Sequence, residues 1–415
     1  MSKLFSSLVT GLLLLSTVVI PSLVFMVFHT SSMAAGLLLI LGLYIFMFLV
    51  LSATGRKFQR LGAGTLLVVA IMGLIMIHST ISLLVNDDSD FERFAQTYLF
   101  LIIFILGAYS FVLLAQKVSK FQTDFGVKTV FYLLLSSSFA AILKFSPFSS
   151  DLRKPVFFFS EPSHFALNFL PFLLYMTVTS SPRVRLLLLV LVYAIALLLE
   201  NMTIIVGVTL IVGLVMPLKR LLYFASITVL LMIFNPINID YYSSRVDISS
   251  ENQNLSTLVF LSGWERASLN FFETFGFGVG FQQFGIVGSR GEIMKTLGDL
   301  GVQDMNLLDG GAIAPKMIGE FGFFGVSILL VYFGYFVKSA KWLRAVSMAK
   351  VAPQVYLKVF LISCFIMYSI DLFVRGTGYF SSSGFLFVAS LFWIILYNST
   401  NDFALKMPDA AKTVP

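Results

Sequence analysis

Cysteine is all but missing from this chain. Cys364 is the only one in 415 residues, so no disulfide can close within one chain, and no cysteine metal cluster can form. Because Cys364 lies in an apolar segment, redox chemistry is not expected. Charge is scarce too, at 12%, about half the fraction of an ordinary soluble domain. Together with 58% hydrophobic residues and a mean hydropathy of +0.92, this excludes a soluble globule. Acids are the rarer sign, 21 against 28 basic residues, and no internal repeat is evident.

What the chain does have is apolar windows of membrane length. About 20 apolar residues are needed to cross a hydrocarbon core about 30 Å thick, and such windows recur throughout, which indicates helices and not a barrel. The fold class is all-α polytopic. Twelve spans are expected at 4–28, 33–54, 64–85, 94–116, 126–145, 163–180, 186–199, 203–217, 221–236, 315–337, 357–373 and 380–397. The first is longer than a signal-peptide core and lacks a clear small-x-small cleavage site, so it is expected to stay as an uncleaved span. Residues 1–235 thus hold nine spans, 236–314 one large loop, 315–398 the last three spans, and 399–415 a tail.

Basic residues set the orientation, since cytoplasmic connections retain them. With both termini inside, 18 of the 28 basic residues and only three acids, Asp124, Asp402 and Asp409, fall on the cytoplasmic side. The net charge of +7 is then a consequence of topology and does not call for nucleic acid. Counting about 1.5 Å per residue from the nearest inside charge puts His164, His78 and Glu320 at one depth near the outer boundary, about 27–28 Å away. Glu200 and Asp371 sit deeper, at about 22 and 20 Å, where an unpaired carboxylate is expensive; both are expected to face a water-filled or cation-lined cavity. The short spans meeting at Glu200 and Asn201 read as a hairpin that leaves such a cavity.

Several constellations carry chemistry. In Ser160-Glu-Pro-Ser-His164-Phe, Pro162 suits a first helical turn, and Glu161 and His164, three apart, project from one face. They suit proton removal from a hydroxyl, and equally a helix cap with an interfacial histidine. Within the loop, Arg266 is followed by Gly276, Gly278 and Gly280, whose backbone N–H groups suit an anion; an ordinary loop with a surface ion pair has the same pattern. Arginine binds phosphate oxygens bidentately. Lys316 and Glu320, like Asp371 and Arg375, are four apart, which fits intrahelical ion pairs; yet Arg375-Gly-Thr-Gly378 also offers a cation among glycines for a lipid diphosphate. Arg290, Lys295, Arg153 and Lys154 are further cations of the outer side. Asp88-Ser-Asp90 has the spacing of a divalent-ion motif, but an acidic turn reads the same way, and no metal is assigned.

Ser160-Glu-Pro-Ser-His-Phe-Ala166, the segment from Arg266 to the glycine run ending at Gly285, Lys316-Met-Ile-Gly-Glu-Phe-Gly-Phe-Phe-Gly325 and Arg375-Gly-Thr-Gly-Tyr-Phe380 resemble, in that order, the Wzy-type O-antigen and capsule polymerases, relatives of the O-antigen ligases. The resemblance implies a membrane glycosyltransferase of GT-C-like architecture in the bacterial inner membrane, inverting and independent of metal or other cofactor. It would join undecaprenyl-diphosphate-linked oligosaccharides by block transfer at the periplasmic face, next to a chain-length regulator protein. Carried onto this sequence, it makes Arg266, with Arg290, Arg375 and Lys316, the diphosphate-binding set. His164 and Glu161 then serve acceptor activation, and Glu200, Glu320, Asp371, Gly278 and Gly280 line the cavity. An O-antigen ligase shares these features. A polysaccharide flippase fits the span count, but a transporter concentrates polar groups at the midplane of several helices, whereas here they gather at one face.

Overall fold

The computed structural model describes residues 3–30, 32–55, 63–145, 155–217, 226, 239–247, 254–302, 304–349 and 351–398. Apart from Ser226, the expected span at 221–236 lies outside them, as do the tail, Arg153 and Lys154. Among the described residues the chain is helical, with only isolated bridges at Val156–Phe159 and Phe284–Val287.

The helices are α1 (Lys3–Val27), α2 (Ala34–Ala53), α3 (Ala63–Val85), α4 (Phe91–Ala115), α5 (Lys120–Ile142), α6 (Pro162–Thr179), α7 (Pro182–Leu198), α8 (Met202–Val215), α9 (Ile239–Val246), α10 (Leu255–Glu273), α11 (Glu292–Asp299), α12 (Ile313–Met348), α13 (Tyr356–Phe373) and α14 (Ser382–Asn398). Eleven of the twelve expected spans coincide with helices in this set. Among the described residues, seven helical stretches are long and apolar enough to cross a membrane, namely those of α1 to α5, α12 and α13. The chain is a helical membrane protein. Helix starts follow local caps. Asp90 caps α4 by accepting from Arg93 N at 2.8 Å, and Ser119 with Gln122 forms a capping box that starts α5 six residues before the expected span.

Central α13 packs against α5, α6, α12 and α14, and nearly every residue from Val359 to Leu372 is buried. Around it α1 pairs with α5 and α2, α2 with α4, and α4 with α14. Leu170 fills the space that glycine leaves at Gly207 of α8, so α6 and α8 approach closely. By contrast α3 stands at the edge, with Leu66, Ile77, Leu84 and Val85 exposed, as suits a lipid-facing helix.

One buried cation ties the end opposite the histidines. Arg185, 3% exposed, donates to Thr177 O (2.6 Å), Val215 O (3.1 Å) and Ser347 O (2.8 Å). These carbonyls lie in the last turns of α6, α8 and α12, which have no intrahelical donors of their own, so a single guanidinium caps three helices.

The loop from α10 to α12 is held by the break in α12. Gly322 has φ 54° and ψ −129°, a backbone state open to glycine, and a Cβ there would lie 1.8 Å from Gly276 O. At this break the glycine run runs alongside α12. Val279 N and Gly280 N donate to Gly319 O and Glu320 O (3.0 and 2.9 Å), and Phe323 N donates back to Gly276 O (2.8 Å). On the other side Phe281 N donates to Ser79 Oγ of α3 at 3.1 Å. The loop therefore stitches peripheral α3 to α12.

Candidate functional site

The start of α6 is built by what precedes it. Val156 and Phe159 exchange backbone hydrogen bonds of 2.9 Å, turning the aromatic run so that Ser160 enters the helix buried and Glu161 remains exposed. Glu161 holds the N-cap position, yet its carboxylate does not cap the helix. Its Oε2 accepts from Ser163 Oγ (3.0 Å) and from Arg375 Nη2 (3.1 Å), and lies 4.0 Å from His164 Nε2. Partial desolvation pushes this half-exposed carboxyl up, but the charges of His164 and Arg375 and the two hydrogen bonds outweigh it and hold it below the usual range. His164 Nδ1 lies 3.0 Å from Ser160 Oγ. If the ring donates from Nδ1 to that hydroxyl, Nε2 keeps its lone pair on the side facing Glu161.

Arg375 therefore pairs across the fold, 214 residues away in sequence, and not with Asp371 four residues before it. Asp371 is enclosed at 1% exposure and accepts from Ser383 Oγ at 2.6 Å, in the first turn of α14, where the helix dipole favours an anion. The expectation that Asp371 faces a water-filled or cation-lined cavity is thus corrected: a serine and a helix end compensate the carboxylate. Half-buried Glu200 sits in the α7–α8 turn with φ 49°, and the next residue, Asn201, donates from Nδ2 to Pro162 O at 2.6 Å. That bond fastens the hairpin tip to the N-terminus of α6.

Next to this cluster lies a second one. Lys316, 1% exposed, gives its protons to Leu308 O (2.7 Å), Asp309 Oδ1 (3.2 Å) and Gln282 Oε1 (3.4 Å), and lies 5.0 Å from the centre of the Tyr379 ring. Its ion pair is with Asp309, not with Glu320, which corrects the intrahelical pair that the spacing suggests. All three of its donors have protein partners. Glu320, fully buried, accepts from Tyr379 OH at 2.9 Å and from Phe284 N at 3.4 Å. Burial and the neighbouring Glu320 raise the Tyr379 phenol far above its usual range, so it stays a donor.

The two clusters meet at the turn after α13. Gly376 N donates to Gly311 O at 2.9 Å, and a Cβ on Gly378 would lie 2.8 Å from Asp309 Oδ1. Asp309 also acts electrostatically on His164. His164, Glu161, Arg375, Asp309, Lys316, Tyr379 and Glu320 therefore belong to one polar region at one end of the helices.

Arg266 reaches this region through Phe284. It is 6% exposed, its guanidinium lies 5.9 Å from the Phe284 ring centre, Nη1 faces Met294 Sδ at 3.4 Å, and Nε is buried with no hydrogen-bond partner. One turn on, both side-chain polar atoms of Asn270 are likewise unpartnered at 0% exposure. Burial, then the nearby Arg290, pull the Arg266 guanidinium below its usual range. Arg290 itself is exposed, and Lys295 pairs with Glu292 at 3.1 Å on the surface. A buried guanidinium answered by a thioether and a ring is an unfavourable arrangement in need of an anion.

The glycines do not offer an anion cradle. Gly278 N donates to Thr274 Oγ1 (2.7 Å), and with Val279 N and Gly280 N bound to α12 the run spends its donors on the protein. Gly278 and Gly280 are buried against α12 and against Ser82 of α3. His78 meets the same segment, 2.8 Å from Phe277 O and stacked on that ring at 4.4 Å. Beside it a groove of about 340 Å³ is lined by Leu74, His78, Phe275, Phe277, Phe321 and Phe323. Asp90, from the acidic turn, serves as a helix cap, and its backbone is bracketed by the Gln283 amide at 2.9 and 3.0 Å. Among the described residues no three His, Cys, Asp or Glu side chains come together to hold a metal ion.

Asp309, Gln282, Tyr379 and Asn270 are the residues that sequence reasoning missed. Gln282, 5% exposed, was the most detectable, being a polar pair with Gln283 inside an aromatic run; its Oε1 accepts from both Lys316 and Arg93. No family model, curated protein or solved structure matches this chain.

Proposed function

We propose that this protein is a membrane glycosyltransferase that joins lipid-diphosphate-linked oligosaccharide repeats into a polysaccharide, in the manner of the Wzy-type polymerases it resembles. The reading takes the twelve-span topology, with both termini cytoplasmic and the polar end of the helices facing the periplasm of a bacterial inner membrane. The observation that carries it is Arg266, a buried guanidinium with an unpartnered Nε. A diphosphate supplies the oxygens that this group lacks.

In the reaction, an acceptor sugar hydroxyl attacks the anomeric carbon of the donor. Its oxygen forms the new bond as the carbon–oxygen bond to the diphosphate breaks, and the electron pair leaves with the lipid diphosphate. His164 Nε2 takes the acceptor proton, Ser160 holds the opposite ring nitrogen, and the ionised Glu161 stabilises the imidazolium that forms. Arg266, with Arg290 and Arg375, offsets the charge that develops on the diphosphate. Lys316, satisfied by Asp309 and Gln282, holds the region together and reaches the diphosphate only if one of these partners gives way. The apolar groove beside His78 offers a bed for the isoprenoid tail.

The products made by cells lacking the protein test this reading against its alternatives. Loss of a polymerase leaves single repeats on the lipopolysaccharide. Bare core would point instead to a ligase, and lipid-linked repeats retained on the cytoplasmic side would point to a flippase; either result overturns the polymerase.

A further inference from the structure

At the end of the helices opposite the polar region, a cleft of about 250 Å³ opens between α1, α2, α4, α5 and α13. Its mouth is formed by Ser6, Lys117, Val118 and Gln122, and its interior by Leu13, Leu14, Phe111, Val127 and Phe360. From Ser6 to Leu14 along α1 is about 12 Å, close to the ~15 Å that one leaflet's hydrocarbon occupies. The cleft is a funnel, polar at headgroup level and apolar below.

The polar groups along its wall are already satisfied. Thr10 Oγ1 donates to Ser6 O (2.9 Å), Thr123 Oγ1 to Ser119 O (3.2 Å), and Gln122 to Ser6 Oγ. At the floor Tyr44 OH is 2.7 Å from Thr17 Oγ1. Water placed below the mouth therefore finds few partners, and an empty apolar void of this size forfeits dispersion contacts along its whole lining. In a bilayer the species at hand with the right length and polarity is an acyl chain. Lys117 at the mouth, with exposed Lys120 three residues on at the start of α5, adds a preference for a negative headgroup.

We propose that this cleft binds one acyl chain of an anionic phospholipid, with the headgroup phosphate at Lys117. It is a lipid site separate from the polar region, and it does not rest on the reading of that region as a transferase.

The test is native mass spectrometry of the full chain in neutral detergent after exposure to phosphatidylglycerol, phosphatidylcholine or oleate. Wild type should retain one phosphatidylglycerol in preference to phosphatidylcholine and oleate. Val9→Trp, which fills the cleft from α1, should lose it. Lys117→Gln should reduce the preference for phosphatidylglycerol over phosphatidylcholine about fivefold. Unfolding temperature in lipid-free detergent checks that the variants fold, and Leu51→Trp fills the cleft from α2 should Val9→Trp not fold. Undiminished retention in the filled variant, equal retention of the two phospholipids by wild type, or preferential retention of oleate overturns the proposal.

Discussion

Two side chains, Arg185 and Glu161, show how single residues settle the two ends of this molecule. Arg185 spends one guanidinium on the last turns of three helices, so removing it strands three buried carbonyls at once. Arg185→Ala should destabilise the fold by about 3 kcal/mol, and Arg185→Lys should recover only part, because an ammonium lacks the planar fork; thermal unfolding in detergent reads both. Glu161 has a depressed folded-state pKa. Its pairing with Arg375 therefore contributes stability that is present above its ordinary value, about 4.3, and is lost as pH falls through the lower folded value. The difference in unfolding temperature between wild type and Glu161→Gln should be largest above about pH 5 and shrink steadily as pH falls below about 4.3. A difference that does not shrink with falling pH would contradict the pairing. Glu161 and His164 were legible in the sequence because a three-residue spacing on a Pro-initiated helix places them on one face. Their partner Arg375 was visible as a candidate pair for Asp371 or as a cation among glycines, and not as a partner of Glu161, since 214 residues separate the two. Spacing misled at Lys316 and at Asp371: helix neighbours four apart suggested intrahelical pairs, whereas Lys316 pairs with Asp309 in the connection before α12 and Asp371 accepts from Ser383 in the first turn of α14.

Between elements, the decisive contact is the glycine run lying along the break in α12. The sequence left these glycines as either an anion site or an ordinary loop, because alternating glycine suggests exposed N–H groups. Their φ values of 80°, 92° and 94° at Gly276, Gly278 and Gly280 are indeed left-handed, but the freedom serves close approach to another backbone. A partner that is itself a broken helix could not be read from local pattern, since Gly322 looks like any glycine in an apolar span. Gly322→Ala should therefore cost about 3 kcal/mol or more, by strain and by collision with Gly276 O. Gly334→Ala, in the same helix with open space around it, should be neutral or slightly stabilising. Thermal unfolding of the two variants side by side checks the contrast. The helices themselves were the most legible part of the chain. Eleven expected spans fall on helices, seven of them long and apolar enough to cross a membrane, because apolar runs are a strong helix signal in this chain, while ends moved where a cap such as Ser119 lay outside the apolar run.

For the whole molecule, the arrangement is a helical frame with a polar region, partly buried, gathered at one end and the Arg185 clamp at the other. Arg266, Arg375, Lys316, His164, Glu161, Glu320, Asp309 and Tyr379 come from α6, α10, α12 and the connections around them, and none lies at the middle of a helix bundle path. A passage for a transported glycan would distribute such groups along the helices, whereas the proposed transferase needs them together at one end. The direct measurement is transfer by the purified protein given radiolabelled lipid-diphosphate-linked repeats in the presence of a chelator. The account predicts a ladder of longer products from wild type that survives chelation, and its loss in His164→Ala and in Arg266→Ala, with both variants retaining their unfolding temperature. A folded Arg266→Ala protein that builds the same ladder as wild type would contradict it.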